Sequence, residues 1–150
     1  MAVFRRRGKT GIMNGPASVR DIHSSEELWQ EIKRALENPE MIDEGDPAPS
    51  EQAASKLKRI IEETQSKRGS PIPLPHIEFF DGSIRLVWTK PTANVVLVVA
   101  SSDDRRSYVY HAAIENGRAV THGTVDPTPS NLAHWLSAME SQGGHTAYSH

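Results

Sequence analysis

The 150-residue chain has room for one ordinary domain, since single domains commonly contain roughly 100–200 residues. The absence of cysteine excludes disulfide scaffolds and thiolate metal sites, and the longest apolar run, residues 95–100, is too short to span a membrane, so we expect a cytoplasmic protein without a cofactor. The net charge is −2, but residues 1–20 carry five basic and no acidic side chains, whereas residues 21–50 carry nine acidic and two basic ones.

The N-terminal third divides into an arm, a helix and a linker. Residues 1–20 contain three glycines and no apolar period, which predicts a flexible basic arm. Residues 24–37 place apolar side chains on one helical stripe, and residues 38–50 are acidic and rich in proline, which is typical of a linker. We expect residues 21–139 to form a single domain, in which the first helix either docks on the sheet or stands apart on its linker.

The rest of the chain predicts a second helix, a sheet and a last helix. Ser50 and Gly69 mark the ends of the second helix, and Ser130 is the predicted cap of the last one. The dipeptides Asp81-Gly82 and Asn116-Gly117 are strong signals for hairpin turns. Residues 95–99 are apolar without alternation, which predicts a central strand covered on both faces.

These elements predict an α+β fold, an antiparallel β-meander of about five strands with helices packed on one face, in the order α-α-β-β-β-β-β-α. Residues 140–150 contain two glycines and two histidines, and we expect them to be a disordered tail.

Two histidines are the candidates for metal or acid–base chemistry. A two-residue turn at Asn116-Gly117 places His111 opposite His122 on one face of the sheet, close enough to share a metal ion. A catalytic zinc site usually needs three protein ligands, and the sequence supplies no evident third one. No metal site is therefore assigned, and a small metal- or histidine-dependent enzyme stays open as an alternative.

The basic arm is a candidate nucleic-acid-binding segment, because clustered cations neutralise phosphates without reading sequence. Its candidate residues are Arg5, Arg6, Arg7 and Lys9. Residues 1–10 resemble the first strand of the arm-type DNA-binding domain of tyrosine recombinases from mobile elements. Residues 11–15 depart from that pattern, so the resemblance does not imply the rest of that domain.

A second resemblance covers residues 74–139. The residues that carry it are Leu74, Pro75, His76 and Ile77, the run from Asp81 to Trp88, and the run from Leu132 to Leu136. In these motifs the chain is similar to a set of small uncharacterised bacterial proteins, some of them carried on mobile elements. The resemblance implies no catalytic residue.

The absence of a catalytic constellation in the sequence favours a non-enzymatic accessory factor of the immunity, antitoxin or inhibitor type, which acts by docking on a protein partner. The candidate partner-binding residues are Glu40, Asp43, Glu44 and Asp46, whose charge would suit a basic partner. Nucleic-acid binding through the arm is the first alternative. The sequence also leaves open a homodimer that buries the second face of the sheet.

Overall fold

A computed structural model describes residues 25–148, with side chains described for residues 26–141. The described chain contains three α-helices and one five-stranded antiparallel sheet in the predicted order, which confirms the α+β fold. The helices are α1 (Ser25–Leu36), α2 (Glu51–Arg68) and α3 (Pro129–Tyr148), and the strands are β1 (His76–Phe80), β2 (Ser83–Lys90), β3 (Ala93–Val99), β4 (Tyr108–Glu115) and β5 (Arg118–Val125). A short 3-10 helix, Pro39–Met41, follows α1.

The sheet is a meander in which each strand pairs with its neighbours in sequence. Both predicted hairpin turns are present, with Asp81 at φ 52° and Asn116 at φ 54°, in the left-handed region that aspartate and asparagine tolerate. The first turn sets the predicted register, in which Glu78 lies opposite Arg85.

The second hairpin contains a β-bulge. Glu115 lies opposite Arg118 as predicted, but Val120 is an extra residue in β5, and beyond it His111 lies opposite Gly123. Val120 is 52% exposed, as expected for a residue displaced from the ladder. Every predicted pair beyond the bulge is therefore shifted by one residue.

The predicted pairing of His111 with His122 is wrong, and packing explains why. The bulge turns Val125 toward the core and places Gly123 beneath the His111 imidazole, where an added Cβ atom would lie only 3.2 Å from Nε2. Without the bulge, the larger side chain of His122 would occupy that position.

The helices pack on one face of the sheet and form one core with it. Leu28 and Ile32 of α1 are fully buried, so this helix docks rather than standing apart. Ser50 caps α2 by accepting a hydrogen bond from the backbone N–H of Ala53 at 3.0 Å, and Gly69 ends the helix at φ 68°. Both ends of α2 are therefore those that the sequence predicts.

The last helix starts earlier than the sequence indicates. Thr128 accepts a hydrogen bond from the backbone N–H of Asn131 at 3.1 Å, and Pro129 occupies the first helical position, where proline costs no hydrogen bond. The helix cap is thus Thr128 and not Ser130.

The same helix continues to Tyr148 and so includes residues 140–148 of the segment that we expected to be a tail, whose last two residues lie outside the described ones. The side chain of Arg68, only 1% exposed, holds Glu140 through an ion pair of 2.8 Å. Because this contact anchors the helix at residue 140, extension beyond it needs no new nucleation step.

Candidate functional site

The second face of the sheet carries no helix in the described part of the chain. Val96 and Val98 of β3 point to this face and are half-buried, whereas Val95 and Leu97 point to the helices and are fully buried. The prediction that residues 95–99 are covered on both faces is therefore wrong, because all three helices join one core on one side. We call this surface the open face; its side chains include Glu78, Phe80, Arg85, Val87, Val96, Val98, Tyr108, Tyr110 and His122.

One end of the open face forms a shallow cleft of about 210 Å³. Three arginines line it, together with two aromatic side chains and a floor formed by Val98 and Ala100. Phe80 forms one wall and is 60% exposed. Only one other large hydrophobic residue of the described chain, Val120, is exposed, and it is less exposed than Phe80. We call this site the arginine cleft; it is lined by Phe80, Arg85, Arg105, Arg106 and Tyr108.

Internal contacts hold each arginine of the cleft in place. Arg85 Nη1 lies 3.1 Å from Glu78 Oε1, and Arg105 Nη1 lies 2.6 Å from Asp81 Oδ2. Arg106 lies over the ring of Tyr108, 5.7 Å from the ring centroid. Each guanidinium has five N–H donors, so these contacts orient the arginines without exhausting their donors.

Glu78 also contacts the imidazole of His76. His76 Nε2 lies 3.3 Å from Glu78 Oε2, while Arg85 contacts the other oxygen. The hydrogen bond from His76 is the largest cause that lowers the pKa of Glu78 below its ordinary value, and the positive charges of His76 and Arg85 act in the same direction against the opposing effect of burial.

The acidic segment, residues 38–50, is tied to the sheet rather than acting as a loose linker. Asp46 Oδ2 accepts a hydrogen bond from the backbone N–H of Asp81 at 3.2 Å. Ser50 adds two further ties, since its N–H donates to the Gly82 carbonyl at 3.4 Å and its hydroxyl donates to the Ser101 carbonyl at 2.7 Å. These bonds connect the segment to the β1–β2 turn and to the end of β3.

The four predicted partner-binding carboxylates lie in this segment. Glu40, Asp43 and Glu44 are exposed, and Asp46 is half-buried by its bond to the β1–β2 turn. The same turn carries Asp81, which pairs with an arginine of the cleft. The acidic segment and the arginine cleft therefore meet at one turn and form a surface with both signs of charge.

The two candidate histidines lie on opposite faces of the sheet. The His111 ring stacks on Trp135 of α3, with ring centroids 3.6 Å apart and planes inclined by 5°. The ring of His122 lies 6.2 Å from Tyr110 on the open face. Among the described residues no three His, Asp or Glu side chains are grouped to hold a metal ion.

The environment of His111 disfavours its charged form. Burial is the main cause that lowers the pKa of His111, and the positive charges of His122 and His134 lower it further. A pocket of about 270 Å³ opens beside this ring, walled by Trp135 and Met139. Its other lining is largely alanine, so sequence periodicity gives no signal for it.

The arginine cleft was also not predicted, because Phe80, Arg85 and Arg105 are separated in sequence and meet only through the sheet register. The predicted nucleic-acid-binding residues Arg5, Arg6, Arg7 and Lys9 lie outside the described residues. In the range 25–148, no helix is long and apolar enough to cross a membrane.

The chain matches no protein-family model, no curated protein and no solved structure.

Proposed function

We propose that this protein is a non-enzymatic accessory factor that docks on a protein partner through its open face and its acidic segment. The observation that carries the proposal is a sheet that the helices of the described residues cover on one side only, whose other side presents aromatic and arginine side chains, Phe80 and two of the arginines among them exposed. Aromatic residues and arginine are enriched among the interface residues that contribute most of the binding free energy.

The acidic segment supports an inhibitor-like mode of docking. Its exposed carboxylates are held near the sheet by the bonds of Asp46 and Ser50, so little conformational entropy is lost when a partner binds. Exposed carboxylates in one segment complement basic residues and increase the association rate with a basic partner. An immunity, antitoxin or inhibitor role uses these properties to cover a basic site on another protein.

The test is a native pull-down from the source cell, with and without nuclease, using the tagged full chain and two matched charge reversals. Asp43→Lys with Glu44→Lys changes the acidic segment, whereas Glu62→Lys with Glu63→Lys changes exposed carboxylates on α2 by the same net charge. We expect a stoichiometric, nuclease-resistant protein partner that is lost with the first pair of changes and retained with the second.

A second variant tests the open face directly. Tyr110→Asp places a charge among the half-buried side chains of this face without entering the core, and we expect it to abolish the same capture. Recovery that is equal in the wild type, in Tyr110→Asp and in the acidic-segment variant would overturn the proposal. Capture of a second copy of the chain alone would replace it with a homodimer.

The alternative function, nucleic-acid binding, is favoured by the five basic and no acidic side chains of residues 1–20. The same pull-down separates the two functions. Recovery of nucleic acid that disappears when Arg5, Arg6, Arg7 and Lys9 are changed to Gln, and that weakens steeply with salt, would make the arm the functional segment.

A further inference from the structure

We infer that the arginine cleft receives a carboxylate side chain of the partner protein, presented beside an apolar residue. The inference rests on the proposed function, because it names the partner chemistry that the open face recognises. It goes beyond that function by requiring an acidic group in the partner at the cleft, in addition to the basic group that the neighbouring acidic segment would suit.

The donors of the cleft are oriented and still available. Arg85, Arg105 and Arg106 each use one terminal nitrogen of the guanidinium in a hydrogen bond within the chain. Each retains further N–H groups in a planar fork, which matches the two oxygens of a carboxylate. The side chains of Arg85 and Arg105 are 41% and 54% exposed, so a partner can contact them without a conformational change in the domain.

The local charge favours one anionic group. Three arginines meet two carboxylates, those of Glu78 and Asp81, at the cleft, which leaves one positive charge in excess. One partner carboxylate balances that charge. The arginines are already held by hydrogen bonds within the chain. Their contact with a partner carboxylate therefore fixes the position at which the partner docks.

The surrounding charge disfavours a nucleic acid at this site. Asp103 and Asp104 are exposed in the same loop as two of the arginines, and the acidic segment meets the cleft at the β1–β2 turn. Nucleic-acid affinity depends on neutralising several phosphates along a strand. A strand long enough to place several phosphates along the cleft would be repelled by these neighbouring carboxylates, whereas a single carboxylate side chain needs to contact only the arginines.

The apolar lining of the cleft indicates which residue of the partner lies next to the acidic one. Phe80 and Tyr108 flank the arginines, and Val98 and Ala100 form an apolar floor. An acidic residue next to an aromatic or aliphatic residue satisfies both parts of the cleft, because the carboxylate contacts the guanidiniums while its neighbour covers the aromatic walls.

The test uses two capped tripeptides, Phe-Glu-Phe and Phe-Gln-Phe, which differ only in charge. They are titrated into the full chain while NMR follows the arginine Nε–H signals. We expect the glutamate peptide to shift the signals of the cleft arginines and to bind about fivefold more tightly than the glutamine peptide. Arg106→Gln should remove this preference, whereas Arg59→Gln, an exposed arginine on α2, should retain it.

Equal binding of the two peptides, or an unchanged preference in Arg106→Gln, would overturn the inference. Tighter binding of a ten-nucleotide thymidine oligomer at the same signals would also overturn it and assign the cleft to phosphates. The pull-down keeps the two proposals distinct. A partner that is lost with Tyr110→Asp but retained with Arg106→Gln contradicts the carboxylate inference alone. A partner retained with both of these variants and with the acidic-segment variant contradicts the proposed function as well.

Discussion

His111 lies between a tryptophan and a glycine, and this position determines its chemistry. Its ring stacks on Trp135 at 3.6 Å and covers Gly123, whose missing side chain leaves the space. A planar neutral imidazole packs well against an indole, but its charged form loses hydration there. His111, which the sequence offered only as a candidate for metal or acid–base chemistry, therefore packs against Trp135 at the edge of the core.

Protonation of His111 is expected to lower the stability of the fold. Its folded-state pKa lies below the ordinary value of 6.5, so the unfolded chain binds more protons near that pH. Neutral His111 therefore contributes to the free energy of unfolding above its ordinary pKa, and this contribution is lost as the pH falls through the folded-state pKa. Urea unfolding from about pH 7.5 to about pH 5 should show a smaller loss for His111→Gln than for the wild type. Parallel pH profiles of the two proteins would contradict this.

Arg68 connects two helices at one buried point. Its Nη2 lies 2.8 Å from Glu140 and donates to the Pro71 carbonyl at 2.7 Å, while Nη1 donates to the Ser137 hydroxyl at 3.3 Å. From sequence, this residue is assigned only a favourable position at the negative end of the dipole of α2. Its contacts to α3 depend on how the two helices pack, which the local pattern does not specify.

Removing this connection should destabilise the fold by a measurable amount. We expect Arg68→Ala to lower the free energy of unfolding by about 2 kcal/mol, less than for a fully buried pair because Glu140 is partly exposed. Lys67→Ala, an exposed cation in the same turn, should stay within about 0.5 kcal/mol of the wild type. Denaturant unfolding measures both, and equal losses would show that Arg68 contributes only as a surface charge.

The bulge in β5 gives a test at the level of a single element. Because Val120 has no partner on β4, its deletion leaves Ile114 opposite Ala119 and Ala113 opposite Thr121 in a continuous ladder. We expect the deletion to change the free energy of unfolding by less than about 1 kcal/mol and to retain the contact of His111 with Trp135. A shift of His111 toward residue 122, seen in NMR distances, would contradict this register.

Deletion of Val96 is the matched comparison for this test. That residue pairs with neighbours on both sides in the central strand, so its loss moves every later side chain of β3 to the other face. We expect this variant not to fold.

Sequence signals predicted the elements well where the relevant interactions are local. The Asp81-Gly82 turn fixed the β1–β2 register, and Ser50 and Gly69 marked both ends of α2. The bulge at Val120 was missed because one extra residue among small side chains leaves the alternation ambiguous. The open face was missed for a related reason. Residues 95–99 of β3 are apolar at every position, and such a run does not show that only one side of the strand is covered by helices.

At the scale of the whole molecule, the core extends from Leu28 in α1 to Met139 in α3 through the first four strands, and Val125 of β5 packs against it. This continuity supports one cooperative domain that includes the first helix. It also explains why the acidic segment is ordered, since α1 and the sheet fix the two sides between which that segment runs.

The three tryptophans report on this cooperativity from different elements. Trp29 lies in α1, Trp88 in β2 and Trp135 in α3, and all three contribute to the core or pack against it. In three variants that each keep one tryptophan and replace the others by Phe, we expect the fluorescence transition in denaturant to coincide with loss of helical circular dichroism. If α1 were an independent helix on a linker, the variant that keeps Trp29 would unfold at lower denaturant than its circular dichroism indicates. Coincident transitions would instead mean that the acidic segment reaches a partner as part of the folded domain.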